Sequence, residues 1–204
     1  MTFIPQAQIE TRAAELWRQH QLEPGFDVER LLDDLGLGLV WDEIEDGDGA
    51  GRVLGQLIPG QRTVVLNERH VDDLEAREGR LRRYTLGHEI GHWLLHADAA
   101  RTGTLSLFDG ERIWCRDGSF DPIERQAEMF SAALLIPEDR LRAALPQSPW
   151  RGWGVVYRLA DTFAVNVTPM KIRLERLHWM HLDEGNVPTS GSQPVPGQTS
   201  LLDI

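Results

Sequence analysis

The sequence predicts an α+β fold with a small antiparallel sheet, a central buried helix and a C-terminal helical subdomain. Three observations lead to this prediction. Short β-branched runs separated by turn residues lie in the first third of the chain. Residues 80–96 are apolar on nearly every side, as is typical of a helix inside a protein core. Residues 153–180 show two helical patterns joined by a short turn.

Length and composition limit the kind of protein. The 204 residues suffice for one domain with a real core and a small appendage. The net charge of -11 argues against binding to phosphate backbones, so DNA is not expected as a partner. The start of the chain has no signal-peptide pattern and no apolar run reaches membrane length, so we expect a cytoplasmic protein without membrane contact. The oligomeric state is left open.

Two helices and three strands are predicted before the central helix. Residues 5–20 carry apolar side chains at helical spacing, and Asp27 is expected to cap a second short helix. The segments LGLVWDE, GRVLGQLI and RTVVLN have strand patterns, and Pro59-Gly60 predicts a tight turn between the last two. Together they predict an antiparallel meander. The acidic DEIEDGDGAG is interpreted as a solvated loop, because it lacks the terminal Glu of a calcium loop.

A hairpin and another long helix are expected after the central helix. TLSLF and ERIWCR flank Asp109-Gly110, which is a strong hairpin signal, and Cys115 is expected to be a half-buried apolar side chain. In DPIERQAEMFSAALLIP, Asp121 fits the N-cap and Pro122 the first helical position. Pro137 is expected to end this helix.

The C-terminal part divides into a helical pair and a polar tail. The turn between the two helices is placed at residues 164–168, with Thr168 and Pro169 as cap and first residue of the second helix. This arrangement is similar to a helix-turn-helix. We therefore expect a main body at residues 1–145 and a helix-turn-helix-like subdomain at 146–182. Residues 183–204, rich in Pro, Gly, Ser and Thr, predict a disordered tail.

The central helix carries the pattern H-E-x-x-H within YTLGHEIGHWLLH. His88 and His92 are one helical turn apart, so both imidazoles can reach one metal ion. Glu89 is offset by about 100 degrees, which places it as a general base beside a water molecule that the ion activates. This spacing is typical of zinc hydrolases. Gly87 and Gly91 weaken a helix, so they indicate the close approach of another backbone or of a ligand.

A second interpretation makes these residues ordinary hydrogen-bonded members of a helical core. For one histidine that interpretation would be preferred. Two histidines and a glutamate in an apolar helix would then be three polar groups buried without a stated partner, which is energetically costly. The metal-site interpretation is therefore favoured.

A catalytic zinc site takes three protein ligands, and the candidates for the third are His96, Glu124 and Glu128. His96 lies two turns from His88, about 12 Å along the axis, and cannot reach the same ion. Glu124 and Glu128 share one face of the next helix, which suits a ligand and a carboxylate that orients a ligand histidine. A competing role for Glu124 stays open, because with Asp121 it forms the D-x-x-E pattern of a capping box.

The two motif helices, RRYTLGHEIGHWLLH and IERQAEMFSAALLIP, resemble the ImmA/IrrE family of metallopeptidases. FDVERLLDDLGLGLVWDE and RTVVLN are similar to the elements that precede the motif in that family. The resemblance implies a zincin-like, gluzincin-like domain in which His88, His92 and Glu124 hold Zn2+ and Glu89 is the general base. The chain departs from the family at Glu128, where Asn is common, and at position 87, where Ala is more usual.

The resemblance also implies a substrate class. Members of this family cleave helix-turn-helix transcriptional repressors and thereby control mobile elements or stress responses. We accordingly expect a zinc metalloendopeptidase, in which water activated by zinc attacks a peptide bond of such a repressor. The peptide is expected to add as a strand beside GRVLGQLI or RTVVLN. The oxyanion donor is left open among Tyr84, Tyr157, His178 and His181.

A regulator that acts without proteolysis is the alternative prediction. The C-terminal helices, with Lys171, Arg173 and Arg176 on the second, fit an element that binds DNA or a repressor. The intact Glu89 argues against a metal-binding scaffold that has lost catalysis.

Overall fold

The computed structural model describes residues 4–46, 52–100, 105–106 and 122–191, and only the backbone of 97–100 and 105–106. This part of the chain contains both helices and small sheets, so the α+β class is confirmed. The helices span Gln6–Gln19 (α1), Val28–Asp34 (α2), Val71–Ala100 (α3), Pro122–Leu135 (α4), Glu138–Ala144 (α5), Trp153–Thr162 (α6) and Val167–Arg176 (α7). The strands span Gly38–Asp42 (β1), Gly55–Ile58 (β2), Thr63–Asn67 (β3), Leu105–Ser106 (β4), Met180–Leu182 (β5) and Pro188–Ser190 (β6).

The two N-terminal helices form close to their expected positions. α1 packs along α4 and buries Ile9, Ala13 and Trp17. The indole N–H of Trp17 donates a 2.7 Å hydrogen bond to the carbonyl oxygen of Leu134, which fixes α1 to α4. Asp27 caps α2 as predicted, because its carboxylate accepts hydrogen bonds from the backbone N–H groups of residues 29 and 30.

The predicted order of the strands is wrong. The sheet has the order β1-β3-β2-β4, with β1 parallel to β3 and β2 antiparallel to both of its neighbours. The turn at Pro59 and Gly60 does pair β2 with β3, as expected. Residues 43–54, however, are too long a connection for a tight hairpin, so β1 is free to pair with the far side of β3.

Asn67, at the end of β3, fixes both ends of that connection. Its side-chain amide donates to the carbonyl oxygens of Ile44 (2.9 Å) and Val53 (2.7 Å). Its side-chain oxygen accepts from the backbone N–H groups of Ile44 (3.0 Å) and Arg69 (3.1 Å). Because the side chain is fully buried, these bonds also satisfy polar atoms that water does not reach.

α3 is bent before the motif. Residues 76–79 leave helical geometry, and Gly79 adopts a left-handed backbone at the end of the bend. Just beyond it, Arg80 donates to the carbonyl oxygen of Val165 and Arg83 to that of Ala164, both at 3.1 Å. These bonds tie the part of α3 that carries the motif to the turn between α6 and α7.

The two glycines of the motif lie where α3 and α4 touch. A Cβ atom on Gly91 would lie 3.1 Å from backbone atoms of Ala127. One on Gly87 would lie 2.8 Å from the hydroxyl oxygen of Ser131. The predicted close approach of another backbone is therefore confirmed, and it sets the distance between the two helices.

The C-terminal helical pair begins its second helix earlier than expected. Asn166 precedes α7 and Val167 is its first residue, whereas the sequence predicted Thr168 and Pro169 for these positions. Both positions lie in the same turn, and helix ends are commonly ambiguous by one or two residues. α6 and α7 pack on each other, and their buried residues join the core of the body.

The tail predicted at residues 183–204 is ordered where it is described. β5 and β6 form an antiparallel hairpin in which Met180 lies opposite Ser190. Asp183 holds the turn, because its carboxylate accepts from the backbone N–H groups of Gly185 and Val187, both at 2.9 Å. The small polar residues that predicted disorder here build a tight turn.

Several predictions concern residues outside the described part: the hairpin at Asp109-Gly110, the environment of Cys115, the cap at Asp121, and residues 192–204. Pro122 is the first residue of α4, as predicted, and that helix ends before Pro137. Among the helices that the structure describes, none is long and apolar enough to cross a membrane.

Candidate metal centre

His88 and His92 lie one turn apart on α3, where that helix packs against α4. The two residues are 4% and 0% exposed. Their Nε2 atoms are 2.9 Å apart. The spacing in the sequence therefore brings two imidazole nitrogens to one point inside the protein, as a shared metal ligand pair requires.

Glu124 completes a cluster of three from the first turn of α4. One of its carboxylate oxygens is 3.3 Å from Nε2 of His88, and the other is 3.4 Å from Nε2 of His92. The donor atoms of the three residues all lie within 4.8 Å of one another. A capping role would turn the carboxylate back towards residue 121, whereas each oxygen here faces a histidine.

The surroundings favour the protonation states that metal binding requires. Burial lowers the pKa of His88 to about 4, although the neighbouring Glu124 carboxylate acts in the opposite direction. Burial would by itself raise the pKa of Glu124, but its hydrogen bonds to His88 and His92 outweigh burial and lower the pKa to about 2. At neutral pH, these shifts favour a neutral His88 and an anionic Glu124, which are the forms that bind a metal ion.

The three donors fit a tetrahedral divalent cation. Ligands at about 2.0–2.1 Å from zinc lie about 3.3 Å from one another in a tetrahedron. The separations observed here are 2.9, 3.3 and 3.4 Å. Two imidazole nitrogens and a carboxylate oxygen are donors that zinc accepts, and three protein ligands leave one position open for water or substrate.

Glu89 lies on the side of α3 that faces β2. The residue is fully buried, and neither carboxylate oxygen has a hydrogen bond of normal geometry within the described part of the chain. Burial, and then the charge of Glu124, raise the pKa of Glu89 well above its usual range, while the backbone N–H of Leu57 acts in the opposite direction. A carboxylate that binds a proton this readily suits proton transfer.

Comparison with protein families agrees with this geometry. The M78 peptidase family, described as an IrrE N-terminal-like domain, matches residues 33–175 and therefore includes the whole cluster. The chain belongs to this family. The resemblance to the ImmA/IrrE metallopeptidases is thus confirmed, and membership implies a peptidase. No curated protein matches the chain.

In this M78 peptidase, no described hydrogen bond supports the orienting role expected of Glu128. The Nδ1 atoms of His88 and His92 are buried and have no hydrogen-bond partner among the described residues. Burial raises the pKa of Glu128 to about 7, although the charge of Arg176 acts against it. The orienting role stays a prediction. His96 lies outside the cluster, with its ring centroid 5.7 Å from that of His92, as the helical spacing requires.

The four candidate oxyanion donors lie in different surroundings. Tyr84 is buried, and its hydroxyl is 3.5 Å from the carbonyl oxygen of Glu128. Tyr157 is 51% exposed on α6. His181 hydrogen-bonds to the carbonyl oxygen of Gly191 through Nδ1, and His178 follows α7. Their catalytic roles stay predictions.

Two features of the M78 site were not identified from the sequence. Ser131 on α4 donates a 3.0 Å hydrogen bond to the carbonyl oxygen of Tyr84, and it lies against Gly87. Gly55 on β2 lies against Thr85 and Glu89. An isolated glycine in a strand often marks a place where another segment approaches the backbone closely. This was the only feature of the sequence that could have indicated the contact of Gly55 with α3.

Proposed function

We propose that this chain is a cytoplasmic zinc-dependent endopeptidase with a zincin-like fold, and that its substrate is a helix-turn-helix transcriptional repressor. The observation that carries the proposal is the cluster of His88, His92 and Glu124 beside the buried Glu89, in a chain of a peptidase family. Zinc is proposed because the donor types and their separations suit it. The repressor comes from the resemblance to the ImmA/IrrE family.

His88, His92 and Glu124 are the residues that would hold the ion. Zinc bound by such residues lowers the pKa of water and polarises a carbonyl group. The protein keeps the donors in place by packing α3 directly on α4, where Gly91 meets the backbone of Ala127. The ligand geometry is thus set by helix packing.

Glu89 would move the protons of the reaction. Its carboxylate would accept a proton from the attacking water and later deliver it to the nitrogen of the leaving amine. The fully buried position against β2 keeps its carboxylate away from bulk water.

The strand arrangement changes where a substrate can add to the sheet. β2 pairs with β3 on one side and with β4 on the other, and β3 pairs with β1 and β2. Among the described strands, β3 is paired on both sides, so the expectation of a peptide beside RTVVLN is wrong. β4 covers only Gln56 and Leu57 of GRVLGQLI, so a peptide beside that segment stays a prediction. Among the strands that the structure describes, β4 is the outermost on the side of β2, and we propose that the peptide adds along this edge.

Zinc content and proteolysis, measured on the same samples, test the proposal. The parent is expected to hold about one zinc per chain and to generate new N-termini when a peptide mixture from a cell extract is added. E89Q should retain zinc and lose cleavage by a factor of about 100 or more, because it removes the general base. H88A and E124A should lose zinc as well as cleavage, because each removes a proposed zinc ligand.

E138A is the matched control for E124A. Glu138 lies on the surface of α5 and pairs with Arg142, away from the cluster. Zinc mass spectrometry and mass-spectrometric mapping of new N-termini should give the same values for E138A and the parent. A parent that takes up no zinc after reconstitution, or an E89Q variant that cleaves normally, would contradict the proposal.

The alternative of DNA binding through α7 receives no support from the packing of that helix. Arg173 is only 3% exposed and pairs with Glu10 on α1. Lys171 pairs with Glu175 at 2.8 Å. The basic side expected on this helix is therefore neutralised within the chain at two of its three positions, and the peptidase function is preferred.

A further inference from the structure

We propose that Gly55 is a positioning residue for Glu89, because it sets the distance between strand β2 and helix α3. The inference rests on the proposed function, in which Glu89 transfers protons. A Cβ atom at position 55 would lie 2.8 Å from Cγ2 of Thr85, 3.3 Å from the carbonyl oxygen of Val65 and 3.4 Å from Oε1 of Glu89. The space beside Gly55 is thus already filled by the helix that carries Glu89.

Neither of the two closest neighbours can move aside easily. The hydroxyl of Thr85 donates a 3.1 Å hydrogen bond to the carbonyl oxygen of Leu81, and this bond fixes the rotamer that points the methyl group at Gly55. The carbonyl of Val65 belongs to β3, which is paired with β1 and β2. A side chain at position 55 would therefore displace α3 from the sheet.

Glu89 is sensitive to such a displacement because packing holds it. Its carboxylate has no hydrogen bond of normal geometry with the described residues, so the backbones of Gly55 and Leu57 define its place. A reacting group displaced by about 1 Å can lose about 100-fold in rate. The metal ligands face α4 on another side of α3, so the displacement should affect proton transfer more than metal binding.

The test compares G55A with G60A. Gly60 lies in the turn that follows the same strand, and a Cβ there would meet nothing within 4 Å. With a peptide that the parent cleaves, kcat of G55A is expected to fall on the order of 10- to 100-fold while KM changes less than about threefold. G55A should still hold about one zinc per chain, and G60A should match the parent in every measurement.

Two further readouts separate positioning from general damage. The methyl resonance of Thr85, followed by NMR in threonine-labelled zinc-free protein, should shift in G55A and stay unchanged in G60A. T85S removes that methyl group and keeps the hydroxyl, so the double variant G55A/T85S should recover most of the lost kcat. If G55A does not fold, T85I enlarges the side chain that contacts Gly55 from the helix side, and it should lower kcat in the same direction.

Other results would contradict either the positioning role of Gly55 or the proposed function. Unchanged kcat in G55A or T85I, loss of zinc in G55A, or no recovery in G55A/T85S would overturn the positioning role. A parent that binds zinc and cleaves no peptide would overturn the proposed function and, with it, the role of Gly55. These results are distinguishable because the parent is assayed beside every variant.

Discussion

At the scale of the residue, the site depends on glycines as much as on charged side chains. The three candidate ligands come from two helices, and their separations follow from how closely α3 approaches α4. Gly91 meets the backbone of Ala127, which cannot move aside as a flexible side chain can. Two glycines in one helix cost about 1 kcal/mol each relative to alanine. The close contact explains why the helix carries them.

We therefore expect G91A to separate the two helices and to weaken the metal site. Its Cβ would lie 3.1 Å from Cα and O of Ala127 and 3.2 Å from Cβ of Phe130. Overpacking of this kind typically costs about 1–3 kcal/mol in the free energy of unfolding. Zinc affinity should fall as well, because His88 and Glu124 lie on opposite sides of the contact. Urea unfolding of zinc-free protein and zinc competition with a chelator measure the two effects.

G154A provides the control for this prediction. Gly154 lies near the start of α6, and an added Cβ would meet nothing within 4 Å. Alanine there should leave zinc affinity unchanged and raise the free energy of unfolding by up to about 1 kcal/mol. Equal stability and equal zinc affinity of G91A and the parent would show that the helix contact does not set the site.

At the scale of the element, local signals were predictable and pairings between distant segments were not. The cap at Asp27 and the first residue of α4 at Pro122 depend on neighbouring residues, and both were predicted. β1 pairs with β3 and not with β2, which follows it after residues 43–54. This pairing depends on tertiary packing, which local sequence patterns do not specify. The β5–β6 turn was mistaken for disorder because tight turns and disordered tails share the same small polar residues.

The candidate site shows the same division between local signals, which were predictable, and contacts between distant segments, which were not. His88, Glu89 and His92 were predictable because one helical turn fixes their relation. Glu124 fitted two local patterns, a ligand and a capping box, and only the packing of α4 on α3 turns its carboxylate to the histidines. Gly55 acts across the interface between sheet and helix, so its role could not be read from neighbouring residues.

Arg173 joins three elements, and its loss should destabilise the whole domain. Its guanidinium donates to the carbonyl oxygen of Ile136 at 3.0 Å, just after α4, and to the carboxylate of Glu10 on α1 at 2.8 Å. R173A leaves the carbonyl oxygen of Ile136 and the carboxylate of Glu10, whose side chain is 27% accessible, without their partner, and such a loss costs about 1–3 kcal/mol. The change should appear as a lower urea midpoint with the cooperativity of unfolding retained.

The neighbouring K171A is the control on the same helix. The Lys171–Glu175 pair is partly exposed, with side chains 26% and 33% accessible. Pairs of this type contribute about 0–1 kcal/mol, so K171A should unfold almost as the parent does. If R173A were as stable as K171A, the connection between α7, α1 and α4 would have no energetic importance.

At the scale of the whole molecule, the distribution of charge limits what the surface can bind. The chain has 21 Lys and Arg against 32 Asp and Glu residues. Some arginines bind groups within the protein. Arg83 donates a hydrogen bond to the carbonyl oxygen of Ala164, and Arg173 donates one to the carboxylate of Glu10. These two arginines are therefore not available to contact a phosphate backbone, and the helix-turn-helix interpretation of the C-terminal helices stays a prediction.

We accordingly expect no measurable binding to duplex DNA at physiological salt. Non-specific binding requires several cations to displace counterions from neighbouring phosphates. Arg173 and Lys171 of α7 are paired with carboxylates, and Arg176 is the one exposed cation of this helix with no ion pair among the described residues. Fluorescence anisotropy with a labelled random duplex, titrated at about 50 and 150 mM salt, is the measurement. Binding that weakens steeply with salt and is reduced in R176A would contradict this prediction. That result would show that α7 presents a phosphate-binding face, and a regulatory role on DNA would then have to be added to the peptidase.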